Sequence, residues 1–453
     1  MRFALSNQTP HKNLVAVIGA GPAGMYAAQY LARQGVNVVL FNRDIKPGGL
    51  AEYGIFPDKH KMRTGLLAQF KRILAMPNLT YQGNVTVGQS GDIRLDQLRQ
   101  AGFQAFMVTT GAQVNNWLGL PGEDLDGVYQ ANDIVFHYNQ LPERGDGVFE
   151  FGQQVVVIGV GNVMLDIVHY LKLAGTPRTV TAYARRGPNE VKFDPKTLEP
   201  VAGCLDLQAI RAAVASAHPA LAAVDQDVND FYQLLADARE KSTDCQSGLT
   251  FRLRFLHSPR RLIGDENGRV KEIVFEINHL VREGNRIVSR GTGQLTTVPA
   301  DTVIFSIGSR VDSGFGLPVN HGNFITTPEP RFPIDGISYE VYNPELCAQC
   351  EDIFVSGWAR QASEGIVGLA RKDAERGARA VVAYLDTLGS ASTTRVKDAL
   401  KRLPDLDKVI VDRDGLEKLW RVEQQIAEEK GLPEFKFSSN EKMLRVIEDS
   451  NWR

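Results

Sequence analysis

Short apolar runs, each followed by glycines and then by a helical pattern, recur along the chain. Residues 14–18 are all apolar, which is typical of a buried β-strand, and the Ala-rich residues 25–31 carry a helical spacing. A second apolar run at 36–41 predicts another strand. The order strand, glycine turn, helix, strand is that of a βαβ unit, in which the two strands are parallel.

The same order returns in the middle of the chain, where an apolar run at 155–158 leads into glycines, a helical pattern and a strand at 179–183. Parallel strands joined in this way form doubly wound sheets. The pattern therefore predicts an α/β fold with two Rossmann-like dinucleotide-binding domains. Other predicted elements are strands ending in glycine turns at 105–112, 302–308 and 353–358, covering helices within 208–238, and charged helices within 391–453.

Composition narrows the class of protein further. The 453 residues include 51 Lys and Arg against 53 Asp and Glu, a net charge of −2, which argues against nucleic acid or an anionic membrane as a partner of the whole chain. No apolar run approaches the ~18 residues that span a bilayer. Four cysteines are too few for a disulfide framework, and a chain of this length needs no such staples. We therefore expect a cytoplasmic protein without a membrane span.

The first glycine cluster reads Gly19-Ala-Gly21-Pro-Ala-Gly24. Between a strand and a helix, the first glycine permits the tight turn, the second lets backbone approach a pyrophosphate, and the third lets the helix pack closely on the sheet. The exposed N–H groups at the start of the helix then bind the anion. An acidic residue usually binds the ribose hydroxyls from the end of the next strand. Asn42 holds that position here and can still bond a hydroxyl.

A second glycine cluster, Gly159-Val-Gly161, begins 140 residues after the first. Met164 replaces the third small residue of the motif, so we expect its helix to stand off slightly or rotate. Arg185 and Arg186 follow the next strand, where arginine suits a 2′-phosphate as an acid suits a free 2′-hydroxyl. The second loop therefore predicts an NADP(H) site, and the two loops together predict two dinucleotide sites in one chain.

Motifs in a fixed order extend over nearly the whole chain: GAGPAG at 19–24, GGLAEYGIFPD at 48–58, TTGAQ at 109–113, GVGNVMLD at 159–166, ARRGP at 184–188, FSIGSR at 305–310 and VSGWARQASEGIVG at 355–368. In this order they resemble the adrenodoxin-reductase type of ferredoxin–NADP reductase. That family lies in the two-dinucleotide-domain flavoprotein superfamily, which also holds the small subunit of glutamate synthase.

The resemblance implies that NADPH reduces FAD by hydride transfer and that FAD then passes single electrons to a ferredoxin-like iron–sulfur protein. It also implies the binding residues, by position. For FAD they are Gly19, Gly21, Gly24, Asn42, Gly49, Leu50, Gly111, Trp358, Gly365, Ile366 and Val367. For NADP(H) they are Gly159, Gly161, Asn162, Val163, Arg185 and Arg186.

The expected domain order is one dinucleotide-binding domain inserted in another. We expect an FAD-binding domain at 1–113 and 311–390, and an NADP(H)-binding domain at 114–310 between two strand-end glycine turns. A C-terminal helical extension at 391–453 is expected to pack on the FAD-binding domain, because that segment also resembles the helical end of the family.

Three residues are candidates for proton handling. In the family a histidine often follows the Pro-Asp pair, whereas here Lys59 holds that position and His60 follows. The carboxylates that follow the RRGP stretch in the family align with Thr197 and Pro200. This leaves Glu199 and Glu190 as off-register substitutes, of which Glu199 is the candidate. Hydride transfer itself needs no side-chain acid, because the cofactors carry that chemistry.

Two other functions stay open at this point. The first is a flavin electron-transfer subunit of a larger complex, like the small subunit of glutamate synthase, although that subunit's cysteine-rich N-terminal module is not found in this sequence. The second is a nucleotide-binding scaffold without catalysis, which is suggested by the departures at Asn42, Met164 and Lys59.

Two smaller features have more than one interpretation. The pair Cys347-Ala-Gln-Cys350 is either incidental or loop-stabilising, or else has a thiol-redox or metal role. The basic residues of segment 252–261 suit either a docking face for an acidic ferredoxin or an exposed strand edge that is kept soluble by charge.

Overall fold

The computed structural model describes residues 13–145, 147–361, 367–389 and 394–449. Its strands follow one another along the whole chain and are numbered here in chain order. They are β1 Leu14–Ile18, β2 Asn37–Asn42, β3 Leu79–Gly83, β4 Ala105–Val108, β5 Val114–Asn115, β6 Val128–Gln130, β7 Gln154–Ile158, β8 Thr179–Tyr183, β9 Thr250–Arg254, β10 His257–Gly264, β11 Val270–Glu283, β12 Arg286–Pro299, β13 Thr302–Phe305, β14 Ser309–Arg310, β15 Val319–Asn320, β16 Asn323–Phe324, β17 Glu340–Asn343 and β18 Ala348–Val355.

The helices lie mostly among the strands before residue 241, and they predominate again after residue 366. They are α1 Pro22–Arg33, α2 Leu50–Tyr53, α3 His60–Leu74, α4 Leu95–Ala101, α5 Ala131–Tyr138, α6 Asn162–Ala174, α7 Pro195–Ala202, α8 Leu207–Ala222, α9 Asn229–Glu240, α10 Val367–Thr387, α11 Val396–Lys401, α12 Arg413–Glu429 and α13 Asn440–Glu448. In the described part of the chain, none of them combines the length and the apolar character that crossing a membrane requires.

The first of two compact units comprises Met1–Val114, Asn139–Glu143 and Gly308–Arg453. Its six-stranded sheet has the order β17-β18-β4-β1-β2-β3, in which only β17 runs antiparallel to its neighbour. This is the doubly wound arrangement, whose strand order reverses beside β1. In such sheets ligands bind outside the carboxyl ends of the strands at the point of reversal. That point is the end of β1, where the first glycine loop begins.

Apolar layers cover both faces of this sheet. Val15 and Val17 of β1 join a layer with α1, α3, α10, α12 and α13, whereas Leu14 and Ile18 join a second layer with α4 and α11. Successive residues of a strand point to opposite faces, so a strand that is buried on both faces reads as an unbroken apolar run. This is the physical reason for the run from which the first strand is predicted.

The second unit comprises Asn115–Tyr138 and Arg144–Ile307. Its five-stranded sheet has the order β6-β13-β7-β8-β9 and is parallel throughout. Helices α5 to α9 cover one face, and the antiparallel sheet β10-β11-β12 packs on part of the other. The covering helices predicted within 208–238 are α8 and α9. Because β7 lies between β8 and β13 as β1 lies between β2 and β4, the two sheets place their glycine loops equivalently.

A disulfide bond joins Cys204 and Cys245 within the second unit. The two residues are 41 positions apart and carry no spacing that suggests a bond. The count of four cysteines argues only against a disulfide framework and does not predict this single bond. Cys347 and Cys350, by contrast, are both free thiols.

Candidate functional site

The first glycine loop packs so closely that side chains are excluded at two of its three glycines. A Cβ atom on Gly24 would lie 1.8 Å from the carbonyl oxygen of Gly19, and one on Gly19 would lie 2.7 Å from that of Thr109. The φ angle of Gly19, +100°, also favours glycine. Around Gly21, by contrast, a Cβ atom would meet nothing within 4 Å. The loop therefore presents an open backbone face at Gly21.

Helix α1 begins at this open face with uncapped N–H groups. Gly21 is its N-cap, Pro22 is its first residue, and no side chain caps the helix or places an acidic group in its first turn. The unpaired N–H groups and the helix dipole together favour an anion at such a helix start. The open face and the uncapped helix start fit the pyrophosphate of a dinucleotide.

A second glycine pair lies beside the first loop. The N–H of Gly48 donates a 2.8 Å hydrogen bond to the carbonyl oxygen of Ala20. A Cβ atom on Gly49 would lie 3.1 Å from the Cα atom of Gly21, and Gly49 has a φ angle of +50°. Leu50 then begins α2. The structure thus brings together two segments that the sequence assigns to FAD, although Gly24 and Gly48 are 24 positions apart.

Asn42 at the end of β2 is buried, and its side chain makes contacts within the protein. Its Oδ1 accepts a 2.9 Å hydrogen bond from the N–H of Ala20, and its Nδ2 donates to the carbonyl oxygens of Asp44 and Lys46. The side chain therefore fixes the chain that follows β2 against the glycine loop. A contact between Asn42 and a ribose stays a prediction, and the oxygen atom is the part of the side chain with remaining hydrogen-bonding capacity.

A buried network of ion pairs holds α2 in place through Glu52. Nζ of Lys46 lies 2.7 Å from Glu52 of α2 and 2.8 Å from Glu423 of α12, and Nζ of Lys436 lies 3.3 Å from Glu52. Burial raises the pKa of Glu52, but the two lysines outweigh burial and bring that pKa to about 2. Burial also lowers the pKa of Lys436 to about 8, against the opposing effect of Glu52. The C-terminal segment therefore holds the helix that follows Gly49.

The turn that contains Trp358 lies against the start of α1. A Cβ atom on Gly357 would lie 2.6 Å from the Cβ atom of Ala23, and the φ angle of Gly357 is +65°. The N–H of Gly357 donates a 2.6 Å hydrogen bond to Asp373 of α10, which also accepts from the hydroxyl group of Tyr339 at 3.2 Å. The third strand–glycine–helix segment thus meets the first loop, and Asp373 holds it there.

The remaining residues assigned to FAD are distributed around these segments. Trp358 is half-buried, and Val367 begins α10. Gly365 and Ile366 lie outside the described residues. Gly111, beyond the end of β4, has a φ angle of +70° and open space where a Cβ atom would be. Their contacts with FAD stay predictions.

The second glycine loop repeats the geometry of the first. Gly159 has a φ angle of +116°, and a Cβ atom on it would lie 2.1 Å from the carbonyl oxygen of Ser306. Gly161 has open space around its Cβ position and is the N-cap of α6, which no side chain caps. Met164 takes the third position with its side chain fully buried in the core. This loop also fits a pyrophosphate.

Residues 192–194, which lead into α7, are hydrogen-bonded to this second loop. The N–H of Lys192 donates a 2.9 Å hydrogen bond to the carbonyl oxygen of Val160, and the N–H of Asp194 donates one of 2.7 Å to Oδ1 of Asn162. The carboxylate of Asp194 then caps α7 by accepting from the N–H of Lys196. Asn162 therefore holds the loop through its side chain. Its own N–H and that of Val163 lie in the first turn of α6.

Arg185 and Arg186 lie just beyond the end of β8. Their backbone is fixed, because Nδ2 of Asn278 donates to the carbonyl oxygen of Arg185 and the N–H of Leu256 donates to that of Arg186. Neither guanidinium group makes a hydrogen bond or an ion pair among the residues that the structure describes. Two cations on a fixed backbone, without a counter-charge in the described part of the chain, fit a 2′-phosphate.

Of the three candidates for proton handling, the neighbours Lys59 and His60 belong to the first unit and Glu199 belongs to the second. Lys59 ends a short 3₁₀ turn, and His60 begins α3, both half-buried. Glu199 lies in α7, where its carboxylate is 3.8 Å from Nζ of Lys241. Their role stays a prediction.

The structure also places the cysteine pair Cys347 and Cys350 and the basic segment 252–261. Cys347 is exposed in the hairpin between β17 and β18, while burial raises the pKa of the half-buried Cys350 thiol, which disfavours a reactive thiolate. Arg252 lies in β9, an edge strand, and its guanidinium group bonds Asp206 at 2.9 Å. Arg260 lies in β10, another edge strand, and pairs with Glu276.

Several residues that support the loops carry no recognisable signal in the sequence. Thr109 is one, because its hydroxyl group donates to the carbonyl oxygens of Ile18 and Gly19 at the turn of the first loop. It lies in the TTGAQ motif at 109–113, but nothing in that motif distinguishes its supporting role. Asp373 and Asn278 lie in a helix and a strand whose patterns do not distinguish them from surface residues.

Comparison with known proteins finds similar sequences over nearly the whole chain. The sequence profile described as pyridine nucleotide-disulphide oxidoreductase matches residues 13–213. An NADPH:adrenodoxin oxidoreductase, mitochondrial, from Salvelinus fontinalis is 26% identical, and the alignment covers 98% of this chain and 93% of that protein. An NADPH-ferredoxin reductase FprA from Mycobacterium leprae is 27% identical, with 96% and 98% covered.

A solved structure, Mycobacterium tuberculosis FprA in complex with NADPH, has the same fold. It superposes with a TM-score of 0.78 at 24% identity, covering 96% of this chain and 99% of that one. The predicted fold class, two Rossmann-like dinucleotide-binding domains, is therefore confirmed. The chain is therefore similar, over nearly its whole length, to adrenodoxin-reductase-type ferredoxin–NADP reductases, as its ordered motifs indicate.

Proposed function

We propose that this protein is an FAD-dependent oxidoreductase that takes electrons from NADPH and delivers them to a ferredoxin-like iron–sulfur protein. The observation that carries the proposal is the pair of unpartnered guanidinium groups at Arg185 and Arg186, beyond the second glycine loop. A loop with an open glycine accepts any dinucleotide, but two free cations at this strand end favour one with a 2′-phosphate.

We assign FAD to the first unit. Gly19, Gly21 and Gly24 form the phosphate loop, and Gly49 lies against Gly21. The turn at Trp358 supplies a half-buried aromatic group beside the start of α1. When bound, FAD would supply the chemistry that joins a two-electron donor to a one-electron acceptor. The chain's own contribution is to hold these segments together, through Asp373 at one side and through the ion pairs of α2 at the other.

We assign NADP(H) to the second unit. Gly159 and Gly161 form the phosphate loop, the first-turn N–H groups of Asn162 and Val163 are available to the pyrophosphate, and the two arginines to the 2′-phosphate. The expected domain boundaries follow this assignment, with the FAD-binding domain at 1–113 and 311–390 and the NADP(H)-binding domain at 114–310. The extension at 391–453 belongs with the first domain.

A ferredoxin-like protein is the proposed electron acceptor. The relatives with the names NADPH:adrenodoxin oxidoreductase and NADPH-ferredoxin reductase support this choice. The basic residues on the edge strands β9 and β10 are candidates for its docking, in addition to their role at a strand edge. Lys59, His60 and Glu199 are proposed only for proton handling, and a cytoplasmic location is part of the same proposal.

The purified protein provides the test. We expect it to carry FAD, and we expect anaerobic NADPH to bleach the visible flavin absorbance much faster than NADH at equal concentration. A protein that binds no flavin would contradict the FAD site. Faster bleaching by NADH would contradict the assignment of Arg185 and Arg186 and would leave the FAD site standing.

A further inference from the structure

The disulfide between Cys204 and Cys245 joins a buried cysteine to a partly exposed one. Cys204 is buried, whereas Cys245 is half-buried between the exposed residues Asp244 and Gln246. Sγ of Cys245 also lies 3.3 Å from the carbonyl oxygen of Leu249, which is available as an acceptor for a reduced thiol. A thiolate from solution can therefore reach Cys245, and the reduced form has a local partner.

The disulfide fastens the C-terminal end of α7. Cys204 lies two residues beyond Ala202, the last residue of that helix, and Cys245 lies in the chain that leads into β9. The two backbones already meet there, since a Cβ atom on Gly203 would lie 1.9 Å from the carbonyl oxygen of Thr243. The bond therefore locks a close backbone contact at one end of a short helix.

The other end of α7 begins at the second glycine loop. Lys192 and Asp194 precede the helix, and their N–H groups bond Val160 and Asn162 of the loop. Asp194 is also the N-cap of α7, so a movement of the helix acts directly on the residue that bonds Asn162. A two-turn helix is short enough to transmit a shift at one end to the other as a rigid body.

We propose that the Cys204–Cys245 disulfide is a thiol–disulfide exchange site for a dithiol reductant, and that its redox state sets the affinity of the second loop for a 2′-phosphorylated nucleotide. The second half of this inference rests on the proposed NADP(H) site. The oxidised form holds α7 and the loop in the binding arrangement. The reduced form releases the C-terminal end of α7 and weakens binding.

The exchange is balanced in electrons and protons. A thiolate of the reductant attacks Sγ of Cys245, the bond to Cys204 breaks, and Cys204 takes up a proton as a thiol. The second thiol of the reductant then attacks its own sulfur in the mixed disulfide and releases Cys245, which is also protonated. Two electrons and two protons pass to the protein, and the reductant leaves as a disulfide. Cytosolic disulfides, where they occur in mesophiles, are usually of this reversible kind.

The test compares thiol counts and nucleotide binding in two redox states of the full-length flavoprotein. After treatment with dithiothreitol under native conditions, we expect alkylation and mass spectrometry to detect two more thiols than before. We expect the Kd for 2′,5′-ADP, measured by calorimetry, to rise about fivefold or more. The flavin content is expected to stay constant, because the disulfide lies in the other unit.

Two double variants separate the effect of this disulfide on nucleotide binding from other effects of dithiothreitol on the protein. Cys204→Ser with Cys245→Ser is expected to show the weaker binding with or without the dithiol. Cys347→Ser with Cys350→Ser, which removes the two free thiols, is expected to respond as the unmodified protein does. A disulfide that is reduced only after unfolding, or a Kd that does not change on full reduction, would overturn the inference. An oxidised protein that does not bind 2′,5′-ADP at all would overturn the proposed NADP(H) site as well.

Discussion

The N–H of Gly357 donates a 2.6 Å hydrogen bond to Oδ2 of Asp373, sixteen residues later on α10. The other oxygen of the same carboxylate accepts from the hydroxyl group of Tyr339 and pairs with Arg360. One side chain thus bonds both ends of the turn that contains Trp358, at Gly357 and Arg360, and links them to Tyr339. This turn lies against the start of α1, so Asp373 fixes a segment assigned to FAD although it lies outside that turn.

Replacing Asp373 by Ala is expected to loosen this turn. The change leaves the buried N–H of Gly357 without an acceptor and Arg360 without its counter-charge, which costs about 1–3 kcal/mol of unfolding free energy. Urea unfolding would measure the loss, and flavin release on dilution is expected to become faster. Glu375→Ala is the matched control, because it removes only a surface ion pair with Arg371 on the same helix and is expected to cost less than about 0.5 kcal/mol. Equal effects of the two substitutions would contradict the role of Asp373.

Replacing Glu52 by Gln is expected to destabilise the first unit strongly and to change its pH dependence. Lys46 and Lys436 would then be buried with one counter-charge fewer, at a cost of about 3–5 kcal/mol. The folded-state pKa of Glu52, about 2, lies below its usual 4.5, so its carboxylate contributes stability above pH 4.5 that is lost as the pH falls toward 2.

The corresponding measurement is urea unfolding of both proteins over a range of acidic pH. The unsubstituted protein is expected to lose more stability between pH 4.5 and pH 2 than the Glu52→Gln variant, because the variant has no carboxylate to protonate at this position. Parallel pH profiles would show that Glu52 is not the group responsible.

Replacing Arg185 by Ala is expected to raise the KM for NADPH and to leave the KM for NADH almost unchanged. Loss of a charge-assisted hydrogen bond to the 2′-phosphate is worth about 1.5–3 kcal/mol, so the KM for NADPH should rise roughly 10- to 150-fold while that for NADH changes little. Arg178→Ala is the matched control, because this exposed arginine precedes β8 as Arg185 follows it. Equal changes in KM for both nucleotides would contradict the assignment.

Replacing Cys204 by Ser is expected to lower the stability of the second unit. The disulfide closes a loop between positions 41 residues apart, and such a bond stabilises by about 4 kcal/mol through the entropy that it removes from the unfolded chain. Urea unfolding without reductant would measure the loss, and the same substitution at Cys347 is expected to leave the unfolding free energy unchanged. If dithiothreitol lowered the stability of the Cys204→Ser variant as much as that of the unsubstituted protein, the assignment of the loss to this bond would be wrong.

The sequence predicts most of the architecture, because the features that determine it are local. A strand, a turn and the start of a helix are defined by the run at 14–18 and by Gly19, Gly21 and Gly24. Each glycine is required by contacts within a few ångströms of its own backbone. Periodicity cannot predict the contacts that join distant segments. Lys46 meets Glu423 across 377 positions, and both are ordinary surface residue types whose burial depends on the finished fold.

The limits of linear prediction are also visible at the boundary of the units. Asn139–Glu143 belongs to the first compact unit although it lies between two stretches of the second. Arg63 bonds Asn139 at 3.3 Å, and Asn440 bonds Glu143 at 2.6 Å. Both partners are far away in the sequence, so no shift in composition marks the segment.

The most direct test of the proposed function is delivery of electrons to an iron–sulfur protein. The flavoprotein is reduced anaerobically with one equivalent of NADPH and mixed with an oxidised [2Fe–2S] ferredoxin, and the absorbance of the ferredoxin is followed. We predict that the ferredoxin becomes reduced while the flavin is reoxidised, and that NADH in place of NADPH supports a much slower reaction. A flavin that NADPH reduces but that passes no electrons to ferredoxin would contradict this account, and so would a protein that binds no flavin.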